Sequence, residues 1–203
     1  MVDEPYDVLV VGGGAAGLSG ALALARARRS VLVIDAGEPR NAPAGHVHSY
    51  LAREGMPPAE LVAAGREEVT CYGGQIVAGR VAAAVRHGDG FQVRLHGGRR
   101  VRARRLLVTT GLVDELPDVP GVAERWGRDV LGCPYCHGWE VRGRRIGVLA
   151  TGAHGPDQAS LWRQWSPQVM LVTHHAPAPG AAEAERLAAR GIAVVDGPVR
   201  KAS

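Results

Sequence analysis

Two cysteines separated by two residues, with a histidine directly after the second, stand in the stretch Cys133-Pro134-Tyr135-Cys136-His137-Gly138-Trp139-Glu140. Thiols at that spacing can close a small disulfide. Such a pair depresses the pKa of at least one thiol, so dithiol and disulfide forms interchange near neutral pH. His137 is placed to hold a proton or to stabilise a thiolate. The same pattern matches c-type haem attachment, and a C-x-x-C pair can be half of a zinc site. Context ranks the three. Haem attachment normally follows export, whereas Met1-Val2-Asp3-Glu4-Pro5-Tyr6-Asp7 is acidic, with no basic segment ahead of an apolar run. Zinc needs two more ligands, and the only other cysteine, Cys71, is far away in sequence. Dithiol chemistry leads, ahead of haem and zinc, and no metal site is expected.

The second chemical signal is Gly12-Gly13-Gly14-Ala15-Ala16-Gly17, which directly follows the valine-rich run Asp7-Val8-Leu9-Val10-Val11. An Ala- and Leu-dominated helix, Leu18 to Arg28, comes next, and then a second buried-strand pattern, Ser30 to Ile34, ending at Asp35. Gly12, Gly14 and Gly17 form G-x-G-x-x-G, for which each position has a mechanical reason. The first permits the tight turn, the second lets backbone approach a pyrophosphate, and the third lets helix and strand pack closely. The helix N-terminus offers N–H groups to the anion, and Asp35 can accept from a ribose hydroxyl. Strand, glycines, helix, strand and acid in that order predict a dinucleotide site.

Other elements must position these groups. Ala36 to Gly55, rich in Gly, Pro and His, reads as a long functional loop; His46 and His48 lack a carboxylate at ligand spacing and read as solvent- or cofactor-facing. A helix is predicted from Pro57-Pro58 to about Thr70. Gln75 to Val85, Phe91 to Leu95 and Arg99 to Arg102 read as an antiparallel meander, and Leu106 to Thr110 as a further buried strand ending at Gly111. A domain crossing is expected near Val113 to Pro120. A second βαβαβ series follows: strand Arg145 to Ala150, helix Asp157 to Trp165, strand Gln168 to Thr173, helix Ala181 to Arg190, strand Ile192 to Asp196. Trp162 and Trp165 read as packing residues and Cys71 as a free, half-buried thiol.

Composition sets the outer bounds. In 203 residues, 46% hydrophobic, there is enough apolar material for a buried core. The net charge of +4 comes from arginines scattered among Ala and Gly, without a basic block or interleaved aromatics, which argues against a nucleic-acid surface. With three cysteines, no signal segment and no apolar run of spanning length, the expected protein is soluble and cytoplasmic, with no membrane partner.

The order of features resembles the low-molecular-weight thioredoxin reductase family of flavoproteins. The matching pieces are Gly12 to Gly17, Thr109-Thr110-Gly111, Pro120-Gly121, Trp126-Gly127-Arg128 and C-x-x-C-x-G at Cys133, Cys136 and Gly138. The resemblance implies an α/β fold with two Rossmann-like, three-layer dinucleotide-binding units. Residues 1–115 would bind FAD, and residues 116–203 would form an incomplete NAD(P)-type domain carrying the cysteine pair. FAD would lie along Gly12, Gly14, Ala15, Ala16, Gly17 and Asp35, with Thr110 and Gly111 nearby and the loop from Arg40-Asn41 to His48 close to the isoalloxazine. Cys136 would exchange electrons with the flavin and Cys133 would form the mixed disulfide with a small dithiol or a protein disulfide. The family also implies a homodimer.

Three departures shape the functional expectation. His137 stands where thioredoxin reductases carry an aspartate, which is similar instead to the gliotoxin- and holomycin-type dithiol oxidases. The second nucleotide turn, Thr151-Gly152-Ala153-His154-Gly155-Pro156-Asp157, has the wrong glycine spacing, and Thr173-His174-His175-Ala176 lacks the arginine cluster for a 2′-phosphate, so an NADPH fingerprint is degraded. The resemblance expects a segment returning to the FAD domain after Ser203, and a chain ending there would be a truncated form of the family. The expectation is a flavin-dependent dithiol oxidase, with an NADPH-dependent disulfide reductase or a non-catalytic remnant as alternatives.

Overall fold

Valine-rich runs bounded by glycine become the parallel strands of two separate sheets in the computed structural model, which describes residues 4–202. In the first sheet, β1 (Tyr6–Val11) lies between β2 (Val31–Asp35) and β6 (Arg100–Val108), parallel to both. β3 (Gln75–Ala78) extends the parallel set beside β2, while β4 (Val81–His87) and β5 (Gly90–Leu95) join antiparallel beyond β6. The strand order is β3-β2-β1-β6-β5-β4. Because side chains alternate across the pleat, the two faces bury different residues. Val10, Val31 and Val33 pack under α1 (Ala15–Arg26) and α2 (Pro58–Cys71) through Leu18, Ala21 and Val69. Leu9, Leu32 and Ile34 face Val93, Leu95 and Ala103 of the antiparallel part.

The second sheet has the order β7-β8-β9, all parallel, from β7 (Ile146–Leu149), β8 (Val169–Val172) and β9 (Ala193–Val195). The crossovers are α5 (Gly155–Trp162) and α6 (Ala181–Ala189). Val148, Leu171, Trp162 and Leu187 centre its core. Two four-residue helices precede it, α3 (Val122–Arg125) and α4 (Pro134–His137). The chain divides into two compact units: residues 1–46 with 55–113, and residues 47–54 with 114–203. The α/β, Rossmann-type fold class agrees with expectation.

Three local expectations are corrected. The run from Gln75 to Val85 is two strands, because the chain turns at Gly79. There the backbone N–H donates to the Asp35 carbonyl at 2.8 Å, and an added Cβ would lie 2.9 Å from the Leu95 side chain. Arg99 to Arg102 and Leu106 to Thr110 fall mostly in one strand, β6, whose residues 100–103 pair with β5 and whose residues 103–108 pair with β1. Cys71 is exposed, since it ends α2 while Val69 faces the sheet.

Trp162 is 6% exposed in the second core, whereas Trp139 is 66% exposed. Trp162→Ala should therefore cost about 3–5 kcal/mol, and Trp139→Ala under about 1 kcal/mol. Urea unfolding followed by circular dichroism checks the difference.

Candidate redox and nucleotide sites

The glycine loop of the first unit is shaped by close approach. Gly12 has φ +101°, and a Cβ there would strike the Thr109 carbonyl; a Cβ on Gly17 would strike the Gly12 carbonyl. Thr109 Oγ1 donates toward both the Val11 and Gly12 carbonyls, at 3.0 and 2.9 Å. Gly14 differs, because a Cβ there would meet nothing within 4 Å. It caps α1, whose first turn holds no acid, so the helix N-terminus faces open space with its dipole uncompensated. Ala15 and Ala16 form that first turn.

Asp35 closes the loop from the other side. Its Oδ1 accepts from the Gly13 N–H at 3.0 Å and its Oδ2 from Arg66 at 2.5 Å. Each oxygen keeps a further lone pair for a ribose hydroxyl. Thr110 and Gly111 follow β6, with Gly111 exposed at φ +69°. Arg40 and Asn41 follow β2 in an exposed pair of turns closed by Ala42 N–H to Pro39 O and Ala44 N–H to Asn41 O, both 3.0 Å. These residues thus gather beyond the carboxyl ends of β1, β2 and β6, where open α/β sheets hold nucleotides. The open cradle at Gly14 fits the diphosphate of a dinucleotide.

In the second unit, Cys133 and Cys136 form a disulfide with Cα atoms 5.3 Å apart. Cys133 caps α4, and its carbonyl accepts from the N–H groups of Cys136 and His137, each at 3.2 Å. Gly138 is required just beyond, because a Cβ there would press on the Pro134 carbonyl and lie 2.7 Å from the Trp165 indole. Trp165 in turn meets Tyr135 edge-on at 5.3 Å and Trp162 at 6.1 Å. The packing of Trp162 and Trp165 thereby fixes the turn that carries the cysteines.

His137 follows the reactive pair, and its Nδ1 is buried without a hydrogen-bond partner among the described residues. Burial pushes its pKa below the ordinary histidine value, against the charge of Glu140, which raises it; His48 lowers it further. Burial therefore favours the neutral imidazole, the form that can accept a proton. His48 belongs to this second unit, by way of the segment 47–54. Glu54 Oε1 accepts from His48 Nδ1 at 2.6 Å, and Glu140 Oε1 lies 3.6 Å from His48 Nε2. The His48 and His137 rings stand 6.4 Å apart, nearly perpendicular. Sequence reasoning missed Glu54 and Glu140. Glu140 lay inside the stretch already singled out, three residues after His137, while nothing local marked Glu54.

The second nucleotide-type turn keeps one structural glycine. A Cβ on Gly155 would lie 2.7 Å from that of Ala150 and 3.2 Å from Leu171. The first turn of α5 carries Asp157, paired with Arg186 at 2.7 Å. Beyond β8, Thr173 Oγ1 donates to Asp196 at 2.6 Å, and His174 Nδ1 accepts from the Val199 N–H at 3.0 Å.

Fold and site together define a Rossmann-type α/β protein with a redox-type disulfide. The description of one family, pyridine nucleotide-disulphide oxidoreductase, matches residues 6–198, and the chain belongs to that family. It is similar to thioredoxin reductase tcpT of Claviceps purpurea, 39% identical over 157 residues, covering 73% of this chain and 48% of that protein. Among solved structures it is similar to that of HlmI, with TM-score 0.95 and 46% identity, covering 99% of this chain and 64% of the other. An oxidoreductase from Agrobacterium tumefaciens gives TM-score 0.93 at 39% identity, covering 98% and 68%. The chain spans about half the length of the curated relatives it matches.

Two outcomes follow from this geometry. Gly17→Ala should disrupt the β1–α1 turn and lower the melting temperature, whereas Gly14→Ala should leave it unchanged, as differential scanning calorimetry will read. The pH dependence follows from His137. Its folded pKa is depressed, so below about pH 6.5 the unfolded chain binds the proton better, and stability falls until the folded pKa is passed. Glu54, also held below its ordinary value, acts only at lower pH. The melting temperature of His137→Gln should therefore fall less between pH 7.5 and 5.5 than that of the unsubstituted protein.

Proposed function

We propose that the chain carries out flavin-dependent thiol–disulfide exchange, oxidising a small dithiol through Cys133 and Cys136. The observation that carries this reading is the disulfide with a half-buried histidine next in the chain, its Nδ1 buried without a hydrogen-bond partner among the described residues and its pKa held below the ordinary histidine value. His137 takes the proton from one substrate thiol, and the resulting thiolate attacks Cys133, releasing Cys136 as a thiolate. The second substrate thiol, once deprotonated, attacks the mixed disulfide and releases the oxidised product, leaving the two cysteines reduced. Bound FAD would accept that electron pair and deliver it to dioxygen, so that dithiol and dioxygen give disulfide and hydrogen peroxide. Gly12, Gly14, Ala15, Ala16, Gly17 and Asp35 would hold its diphosphate and ribose, with Arg40, Asn41, Thr110 and Gly111 beside them.

A second reading, NADPH-dependent disulfide reduction, is favoured by the close-packed Gly155 and by the family itself. The acid in the first turn of α5 opposes a phosphate there, which ranks it second. No helix among the described residues is long and apolar enough to cross a membrane. A cytoplasmic homodimer is the assembly this reading carries, and sedimentation velocity measures its mass.

The test is the visible spectrum of the purified chain after addition of FAD. Flavin bands should bleach with anaerobic dithiothreitol and return in air, and Cys136→Ser should abolish the bleaching. Bleaching by NADPH alone would favour the reductase, and no flavin retained would leave a non-catalytic module.

A further inference from the structure

A dithiol gives up two protons as its disulfide forms, and they leave in sequence, one for each thiolate that attacks. His137 can hold one. It is half-buried, its Nδ1 is buried with no hydrogen-bond partner among the described residues, and the imidazolium is disfavoured there. A second group must relieve it before the second thiol can react. The second unit supplies one from outside the C-x-x-C segment.

The His48 side chain is 19% exposed, with a carboxylate at each ring nitrogen. Glu54 accepts from Nδ1 at 2.6 Å and is itself fixed by the Ser49 N–H, which donates to its other oxygen at 2.7 Å. Ser49 and Ala52, at φ +59° and +66°, hold the short segment in a shape these residue types seldom adopt. Strained backbone of this kind concentrates where a side chain must be aimed. The aim is toward Glu140, 3.6 Å from His48 Nε2, whose charge also favours the protonated form of His137. Glu54 is 63% exposed, so the series that begins beside Cys136 ends in water.

We propose that His48, held by Glu54 and facing Glu140, is the second acid–base group of the disulfide site, drawing from His137 the first proton of each dithiol and passing it through Glu54 to solvent. The proposal rests on dithiol exchange at Cys133 and Cys136. His48 acts through His137 and is a positioning and relay residue; the bonds made and broken are those given above, and only the route of the proton is added.

The experiment follows reduction of the Cys133–Cys136 disulfide in the full chain by dithiothreitol, quenched by alkylation and read by mass spectrometry from pH 5.5 to 8.5. This step needs no flavin. His48→Gln should slow it roughly tenfold at pH 7, and Glu54→Gln by less, with an altered pH profile, an unchanged circular dichroism spectrum and an intact disulfide before mixing. Imidazole in the buffer should restore the rate of His48→Ala. In an NMR titration, Glu140→Gln should lower the His137 pKa and His48→Gln should raise it. Rates and profiles unchanged in both His48→Gln and Glu54→Gln, or a slow His48→Ala that imidazole does not rescue, overturn the relay. If rescue succeeds while dithiol fails to bleach flavin, the flavin reading fails and the relay stands. Bleaching with no effect of His48 does the reverse.

Discussion

The carbonyl of Gly12 lies where the Cβ of any other residue at position 17 would have to go. That single close approach sets how far α1 can descend onto the end of β1. It only works because Gly12 itself sits at φ +101°, turning its own missing Cβ toward Thr109. The Thr109 hydroxyl then ties the end of β6 to the Val11 and Gly12 carbonyls, and Asp35 at the end of β2 takes the Gly13 N–H. Three strand ends and one helix start meet at a point with no room for a side chain on Gly12 or Gly17. The parallel registers of β1 with β2 and β6 bring those ends level, so sheet and anion cradle are consequences of the same packing.

The second unit trades stability for reactivity in a way the first does not. Cys136 and His137 lie in a four-residue helix, capped by Cys133 and too short to be stable by itself, and the edge-on contacts of Trp165 with Tyr135 and Trp162, together with Gly138, hold it in place. Within that rigid turn His137 buries a ring nitrogen with no partner among the described residues, an arrangement that costs on the order of 1–3 kcal/mol. A purely structural site would place an apolar residue there. The cost keeps an imidazole neutral beside a disulfide, and local rules broken at one place mark function.

What could be read from the sequence was short in range. The glycine spacing, the valine runs and the C-x-x-C-H stretch each carry their meaning within six or eight residues, and the fold class and βαβ units followed from them. Where the reading failed, the deciding contact was distant. Gly79 looked like one residue of a long strand until Leu95 crossed it, and the arginines of β6 disguised a single strand because its charged face is solvent-exposed while Ala103 alone is fully buried. His48 posed the same difficulty. Its partners are Glu54, six residues away, and Glu140, brought close by the second unit, and no periodicity links the three.

The two βαβ turns share a topology and differ in charge. At α1 the N-terminal dipole meets no acid, Gly14 leaves space in front of it, and Arg26 sits at the opposite end. At α5 the same dipole is already met by Asp157, which Arg186 holds in place. An acid in a first turn stabilises the helix by about 0.3–1 kcal/mol, and an incoming phosphate would add a like charge beside it. The groups beyond β8 are turned inward as well, Thr173 to Asp196 and His174 to the Val199 N–H. One unit therefore leaves its helix end open to an anion while the other satisfies its own helix end. That contrast, an open helix end at α1 and a self-satisfied one at α5, is what ranks a dithiol ahead of a second nucleotide as donor in the exchange proposed above.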